Sequence, residues 1–150
     1  MSRKSLSGFR FSEKSHAKLN TCHPDLIVIM ESALAISRID FGISCGHRSV
    51  EEQRVMFDNN LSHCDGTLIK SQHNHEPSMA VDIFAFIDRE ASYDKDTMVY
   101  LGGLIVSAAR TLLLKGVTSH DIRWGGNWDR DDKVIKDQKF QDLCHFELHY

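Results

Sequence analysis

The sequence predicts an α+β fold, a small, mostly antiparallel sheet flanked by helices, in a single domain over residues 1–150. Three observations carry this. Helical patterns come first along the chain. The strand candidates are short and dispersed. Regular strand–helix–strand crossovers are too few for a doubly wound parallel sheet. A chain of 150 residues is ordinary for one domain and buries about 68–70% of its unfolded surface, enough for a core without staples.

Each element has a local reason. Ser12 caps a short helix over residues 12–19. Pro24 suits the first turn of the next helix, Asp25 is favourable at its positive end, and LIVIMESALAIS continues it as a largely buried segment. Residues 40–45 (DFGISC) form a short strand. Ser49, with Glu52 three positions on, makes a capping box that starts a helix through QRVMFDNN. Residues 59–74 are polar, hold Gly66 and read as a loop, whereas 79–86 (MAVDIFAF) read as a strand. The strongest helix covers residues 94–115. There Met98, Leu101, Leu104, Ile105, Ala108 and Leu112 recur at helical spacing, and Gly116 stands as the stop. Gly102 and Gly103 inside it either weaken it or mark a close packing contact. Residues 121–124 form a strand, 124–139 a charged loop, and 145–150 a terminal strand.

Composition excludes several classes. Hydrophobic residues make up 41% and charged residues 26%, as in ordinary globular proteins, and the net charge of −3 argues against an electrostatic nucleic-acid binder. The longest apolar stretch, residues 101–114, contains Arg110 and falls short of the ~20 residues of a membrane span, so no membrane insertion is expected. The opening MSRKSLSGFRFSEKS has no apolar signal-peptide core, so the expected location is the cytoplasm of the cell that makes the protein. There Cys22, Cys45, Cys64 and Cys144 would stay reduced. Each lies within two residues of a histidine, but none forms a C-x-x-C pair and their separations do not suit a zinc ribbon. A monomer is expected.

Nine histidines are the unusual feature. Residues 71–82 (SQHNHEPSMAVD) place His73 and His75 in a turn and Asp82 on the following strand, where alternation puts Ala80, Asp82 and Phe84 on one face and Val81, Ile83 and Ala85 on the other. An aspartate amid MAVDIFAF is costly to bury unless it is paired or holds a metal. In the terminal strand, His145, Glu147 and His149 share one face, while Phe146, Leu148 and Tyr150 are expected to face the core. A catalytic zinc wants three N/O ligands, an open position for water, and a nearby carboxylate to take that water's proton. A histidine from the turn, Asp82 and His145 supply the ligands, and Asp142 supplies the carboxylate. Arg48, at a strand-to-helix turn, is placed to reach a pocket and meet an anion. His16, His23, His63 and His120 read as incidental, and His47 and His149 carry no assigned role.

Taken together, these residues resemble the zinc D-Ala-D-Ala carboxypeptidase / L-alanyl-D-glutamate endopeptidase family, especially its short phage endolysins. The resemblance covers most of the chain: His-Pro-Asp-Leu leading into an Ala/Leu-rich helix, Gly46-x-Arg48-Ser49 with Gln53, Ser71-x-His73 running to Ala80-x-Asp82, Arg123-Trp124-Gly125-Gly126-Asn127-Trp128, and Asp142-x-x-His145-Phe146-Glu147-Leu148. The pairing of S-x-H…A-x-D with D-x-x-H-F-E is the specific part. It implies the family's fold, shared with the hedgehog signalling domain, in which the metal lies on an antiparallel sheet. It further implies Zn2+ held by His73, Asp82 and His145, with Asp142 as general base and Arg48 as electrostatic helper; Glu147, on the same face as His145, reads either as its partner or as a sheet-surface carboxylate. Many members space the first histidine seven positions before the aspartate, which here is His75; the S-x-H context selects His73, nine before it. Asn127 stands where many members carry Asp. The implied substrate is the peptidoglycan stem peptide, cut between L-Ala and D-Glu. The alternatives are a D-Ala-D-Ala carboxypeptidase or dipeptidase, and a catalytically silent zinc-containing binding domain.

Overall fold

The computed structural model describes residues 8–133 and 140–150. In chain order the elements are α1 (Glu13–Leu19), α2 (Pro24–Ile36), β1 (Phe41–Cys45), α3 (Val50–Asp58), a 3-10 turn (Gln72–Asn74), β2 (Ala80–Ile87), β3 (Glu90–Ser92), α4 (Lys95–Leu114), β4 (Asp121–Gly125) and β5 (Asp142–His149). Residues 134–139 of the expected charged loop lie outside the described residues.

The capping chemistry places the helix starts. The Ser12 hydroxyl accepts the Ser15 amide, and Ser49 Oγ accepts that of Glu52 at 3.0 Å. Pro24 opens α2, but the cap itself is His23, whose Nδ1 accepts the Asp25 amide at 3.0 Å. Asp94 caps α4 through Thr97, and Gly116, at φ +73°, ends it.

The sheet runs β1-β2-β5-β4, with every named pair antiparallel and the short β3 hydrogen-bonded to β2 as a side branch. Sequence reading missed β3. Its three residues carry no apolar alternation, and the two-residue hairpin before it, Asp88-Arg89, takes positive φ at both positions without the glycine that usually announces such a turn. Helices α2 and α4 pack over the core. Leu26, Ile29, Met30 and Ala33 of α2 and Met98, Leu101, Ile105 and Ala109 of α4 are buried together with Val81, Ile83, Ala85, Ile122, Trp124, Phe146 and Leu148 of the sheet. Among the described residues, α4 alone is long and apolar enough to cross a membrane, and its apolar stripe is used here as core.

One expected core position is wrong. Tyr150 follows the end of β5 and is 93% exposed. Its ring lies against that of His120, 4.7 Å between centroids, and not in the core.

Candidate metal centre

The face of the sheet turned away from the helical core gathers the chemistry. Asp82 on β2 and His145 on β5 are directly opposed across the two strands, so alternation aims both side chains the same way. His73 reaches them from the 3-10 turn. Ser71 and Asn74 close that turn with reciprocal side-chain caps, the Arg48 amide donates to the His73 carbonyl at 2.8 Å, and Asn74 Nδ2 donates to the Arg48 carbonyl at 3.0 Å. The His73 ring is 2% exposed. Its Nδ1–H donates to the Gly46 carbonyl at 2.7 Å, so Nε2 is the nitrogen turned to the cluster.

Three donor atoms then converge. His73 Nε2 is 3.2 Å from Asp82 Oδ1 and 3.3 Å from His145 Nδ1, and His145 Nδ1 is 3.0 Å from Asp82 Oδ1. Ligands at 2.0–2.1 Å from a tetrahedral zinc stand about 3.3 Å from one another. The triangle therefore fits one face of such a site with almost no rearrangement. His75 is exposed at the end of the turn, so the structure brings His73 to the cluster and not His75. Cys45, His73 and Asp82 also present ligand-type atoms within 4.8 Å of one another. However, the Cys45 sulfur approaches His73 on its Nδ1 side, at 3.8 Å, where that nitrogen already serves Gly46. The His73–Asp82–His145 set is the tighter one.

A second layer of contacts holds the donors. Glu147 Oε2 lies 3.4 Å from His145 Nε2, which turns Nδ1 toward Asp82, and Arg123 binds the other Glu147 oxygen. The Trp128 ring lies 5.4 Å from the His145 ring and beneath the Arg123 guanidinium. Electrostatics follow this packing. Burial alone would raise Asp82, but hydrogen bonds and charge from His145 and His73 hold it far below the usual carboxylate range. Burial opposes charge on both histidines as well, yet Asp82 and Cys45 raise His73 to about 10, and Asp82 and Glu147 raise His145 to about 9. Glu147 is buried but held ionised by His145 and Arg123.

Asp142 and Arg48 line the same cavity of about 400 Å³ as the three donors. Strict alternation back from His145 would turn Asp142 to the opposite face. A bulge prevents this, for Trp124 pairs with Phe146 while the next residue, Gly125, pairs with Asp142. A Cβ at Gly125 would lie 1.9 Å from the Asp142 carbonyl oxygen, so only glycine admits this crossing. The Trp124 indole N–H donates to the Leu143 carbonyl inside the bulge at 2.8 Å. Arg48 is no surface arginine paired with Glu51 or Glu52. Its Nη1 donates to Gln53 Oε1 at 2.9 Å, and Nη2 stands 3.7 Å from Asp82 Oδ2.

Sequence reasoning gave no structural part to several residues that line or support the cavity. Gln53, fully buried, ties Arg48 to the 59–70 loop by donating to Ser62 Oγ and the Cys64 carbonyl, both at 2.9 Å. Lys70 and His63 line the cavity from that same loop, His63 against Phe140. Its irregular backbone offers no periodicity from which they could be found. Arg123 and Trp128 did stand in the R-W-G-G-N-W segment, which was their only signal.

Comparison with curated proteins finds no match. Among solved structures, the chain is similar to the crystal structure of the Serratia marcescens L-Ala D-Glu endopeptidase ChiX, with a TM-score of 0.74 and 27% identity over 97% of this chain and 94% of that one. The family model described as phage L-alanyl-D-glutamate peptidase matches residues 7–149. The α+β fold, the cavity and this near-complete match agree, and the chain belongs to the phage L-alanyl-D-glutamate peptidase family.

Proposed function

We propose that the protein is a zinc-dependent endopeptidase that hydrolyses the L-alanyl–D-glutamate bond of the peptidoglycan stem peptide, with His73, Asp82 and His145 as metal ligands. The observation that carries the metal reading is the donor triangle of 3.0, 3.2 and 3.3 Å opening into a cavity that Asp142 and Arg48 also line. Family membership carries the choice of bond.

Bound zinc would lower the pKa of a coordinated water to about 7 and polarise the scissile carbonyl. Asp142 accepts the proton of the attacking water and later delivers it to the leaving amine of D-Glu. Arg48 faces the developing oxyanion with a charge already fixed by Gln53 and Asp82, so little reorganisation is needed as the barrier is crossed. Glu147 accepts the Nε2–H of His145 and keeps its Nδ1 lone pair turned into the site.

Digestion of purified peptidoglycan followed by mass spectrometry of the fragments tests the reading. Fragments with new N-terminal D-Glu are expected. Release of D-Ala would replace it with a carboxypeptidase, and an inactive protein loaded with zinc would replace it with a binding domain.

A further inference from the structure

His23 and His120, which read as incidental in the sequence, meet in the fold although 97 positions separate them along the chain. His23 is the cap of α2, Asp25 sits in its first turn, and His120 immediately precedes β4, at the end of that strand opposite Gly125. One donor atom from each of His23, Asp25 and His120 lies within 4.8 Å of the others, and the two imidazole rings are 5.0 Å apart, edge to face.

The hydrogen bonding of this cluster is incomplete. His120 is 7% exposed, and its Nδ1 lies 2.7 Å from Asp25 Oδ2. Its Nε2 is buried with no hydrogen-bond partner among the described residues. Neither neutral tautomer is satisfied as it stands. With the proton on Nδ1, the Nε2 lone pair is orphaned; with the proton on Nε2, a donor is orphaned and the Nδ1 lone pair faces a carboxylate. His23 uses Nδ1 for the helix cap, so Nε2 is the nitrogen it has to offer. Burial opposes the charge on Asp25, but the hydrogen bonds from His120 and the Ser119 amide hold it ionised, and that carboxylate offsets the positive end of α2.

We propose that His23, Asp25 and His120 form a second site for a divalent transition-metal cation of the zinc class, separate from the catalytic centre. Two imidazoles and one carboxylate are the ligand types such a cation prefers. A cation at His120 Nε2 takes up the lone pair left without a partner, while Nδ1–H keeps its hydrogen bond to Asp25 Oδ2 and the other Asp25 oxygen is the one offered to the metal. His23 and Asp25 being only partly buried leaves a path for entry. The site would pin the start of α2 to the start of β4.

The test is a zinc titration of the chelator-stripped full chain against a chromophoric competitor, with His23→Asn as the diagnostic variant. Asparagine keeps the N-cap but removes the imidazole, so the variant is expected to fold and to cleave peptidoglycan like the wild type. Two equivalents of zinc are expected for the wild type, one for His23→Asn, one for His73→Ala, and none for the double variant. Equal zinc content in wild type and His23→Asn would overturn the second site. Loss of one equivalent in His23→Asn with none lost in His73→Ala would uphold it while removing the proposed catalytic metal, so the two proposals fail separately.

Discussion

Asp142 reaches the cavity only because Gly125 lets its backbone approach, and its proposed work there is proton transfer alone. Asn keeps its shape and its backbone pairing but cannot take a proton. Asp142→Asn should therefore retain the metal and lose about 10²–10⁴-fold in turnover, as measured by zinc content and fragment release on the same sample; full activity would remove Asp142 as the base. Gln53 acts one step back from the reacting atoms. It accepts from Arg48 and donates to Ser62 and Cys64, and it is completely buried. Leucine in its place leaves the Arg48 donor and the Cys64 carbonyl without it. Each buried group so abandoned costs about 1–3 kcal/mol. Gln53→Leu should be less stable in denaturant and should lower kcat more than it raises KM, because the charge of Arg48 loses its fixed direction while the cavity remains. Restoration of kcat by Gln53→Glu, which still accepts from Arg48, would separate this positioning role from a purely structural one.

At the scale of elements, what could be read from the sequence was what short-range chemistry determines. The Ser12 and Ser49 caps, Pro24 and the Gly116 stop each follow from hydrogen-bonding rules that operate within a few residues. The β3 branch and the bulge between β4 and β5 could not be read, since both depend on which strands meet. The two glycines of α4 show the same division. Gly102 lies against Trp124, and a Cβ there would come within 2.3 Å of the indole ring, whereas a Cβ at Gly103 meets nothing within 4 Å. Identical neighbours in sequence should thus respond oppositely to alanine. Gly103→Ala gains about 0.5–1 kcal/mol from lost backbone freedom in the unfolded chain. Gly102→Ala loses about 1–3 kcal/mol net by overpacking Trp124, whose indole also holds the Leu143 carbonyl of the bulge. Urea unfolding of the two variants decides it, and a stabilised Gly102→Ala would mean that Trp124 moves aside at little cost.

For the whole molecule, the site joins parts of the chain that are far apart in sequence, and this sets both its legibility and its response to pH. Asp82 and His145 were readable because each sits in an alternating strand. The choice between His73 and His75 depended on the path of a turn held by Arg48, Asn74 and Gly46, which no spacing rule encodes. The same convergence concentrates charge. In the metal-free protein, two imidazole nitrogens 3.3 Å apart flank one partly buried carboxylate. They do not both charge easily, but Asp82 keeps at least one proton on the pair well above the ordinary imidazole value of 6.5. The sign of the consequence is fixed by linkage. A histidine whose pKa is raised on folding contributes stability that is full below about 6.5 and is lost as pH climbs through the folded values of about 9 and 10. The metal-free protein should therefore lose thermal stability between pH 7 and pH 10. Bound metal needs both rings deprotonated, so the metal-loaded protein carries no such loss, and metal binding strengthens as protons cease to compete. The gap in Tm between metal-loaded and chelator-stripped protein should widen steadily over this window. A gap that stays constant or narrows from pH 7 to pH 10 would show that the histidines by Asp82 hold no such proton, and with it that the charge cluster on the sheet is organised differently from the arrangement described.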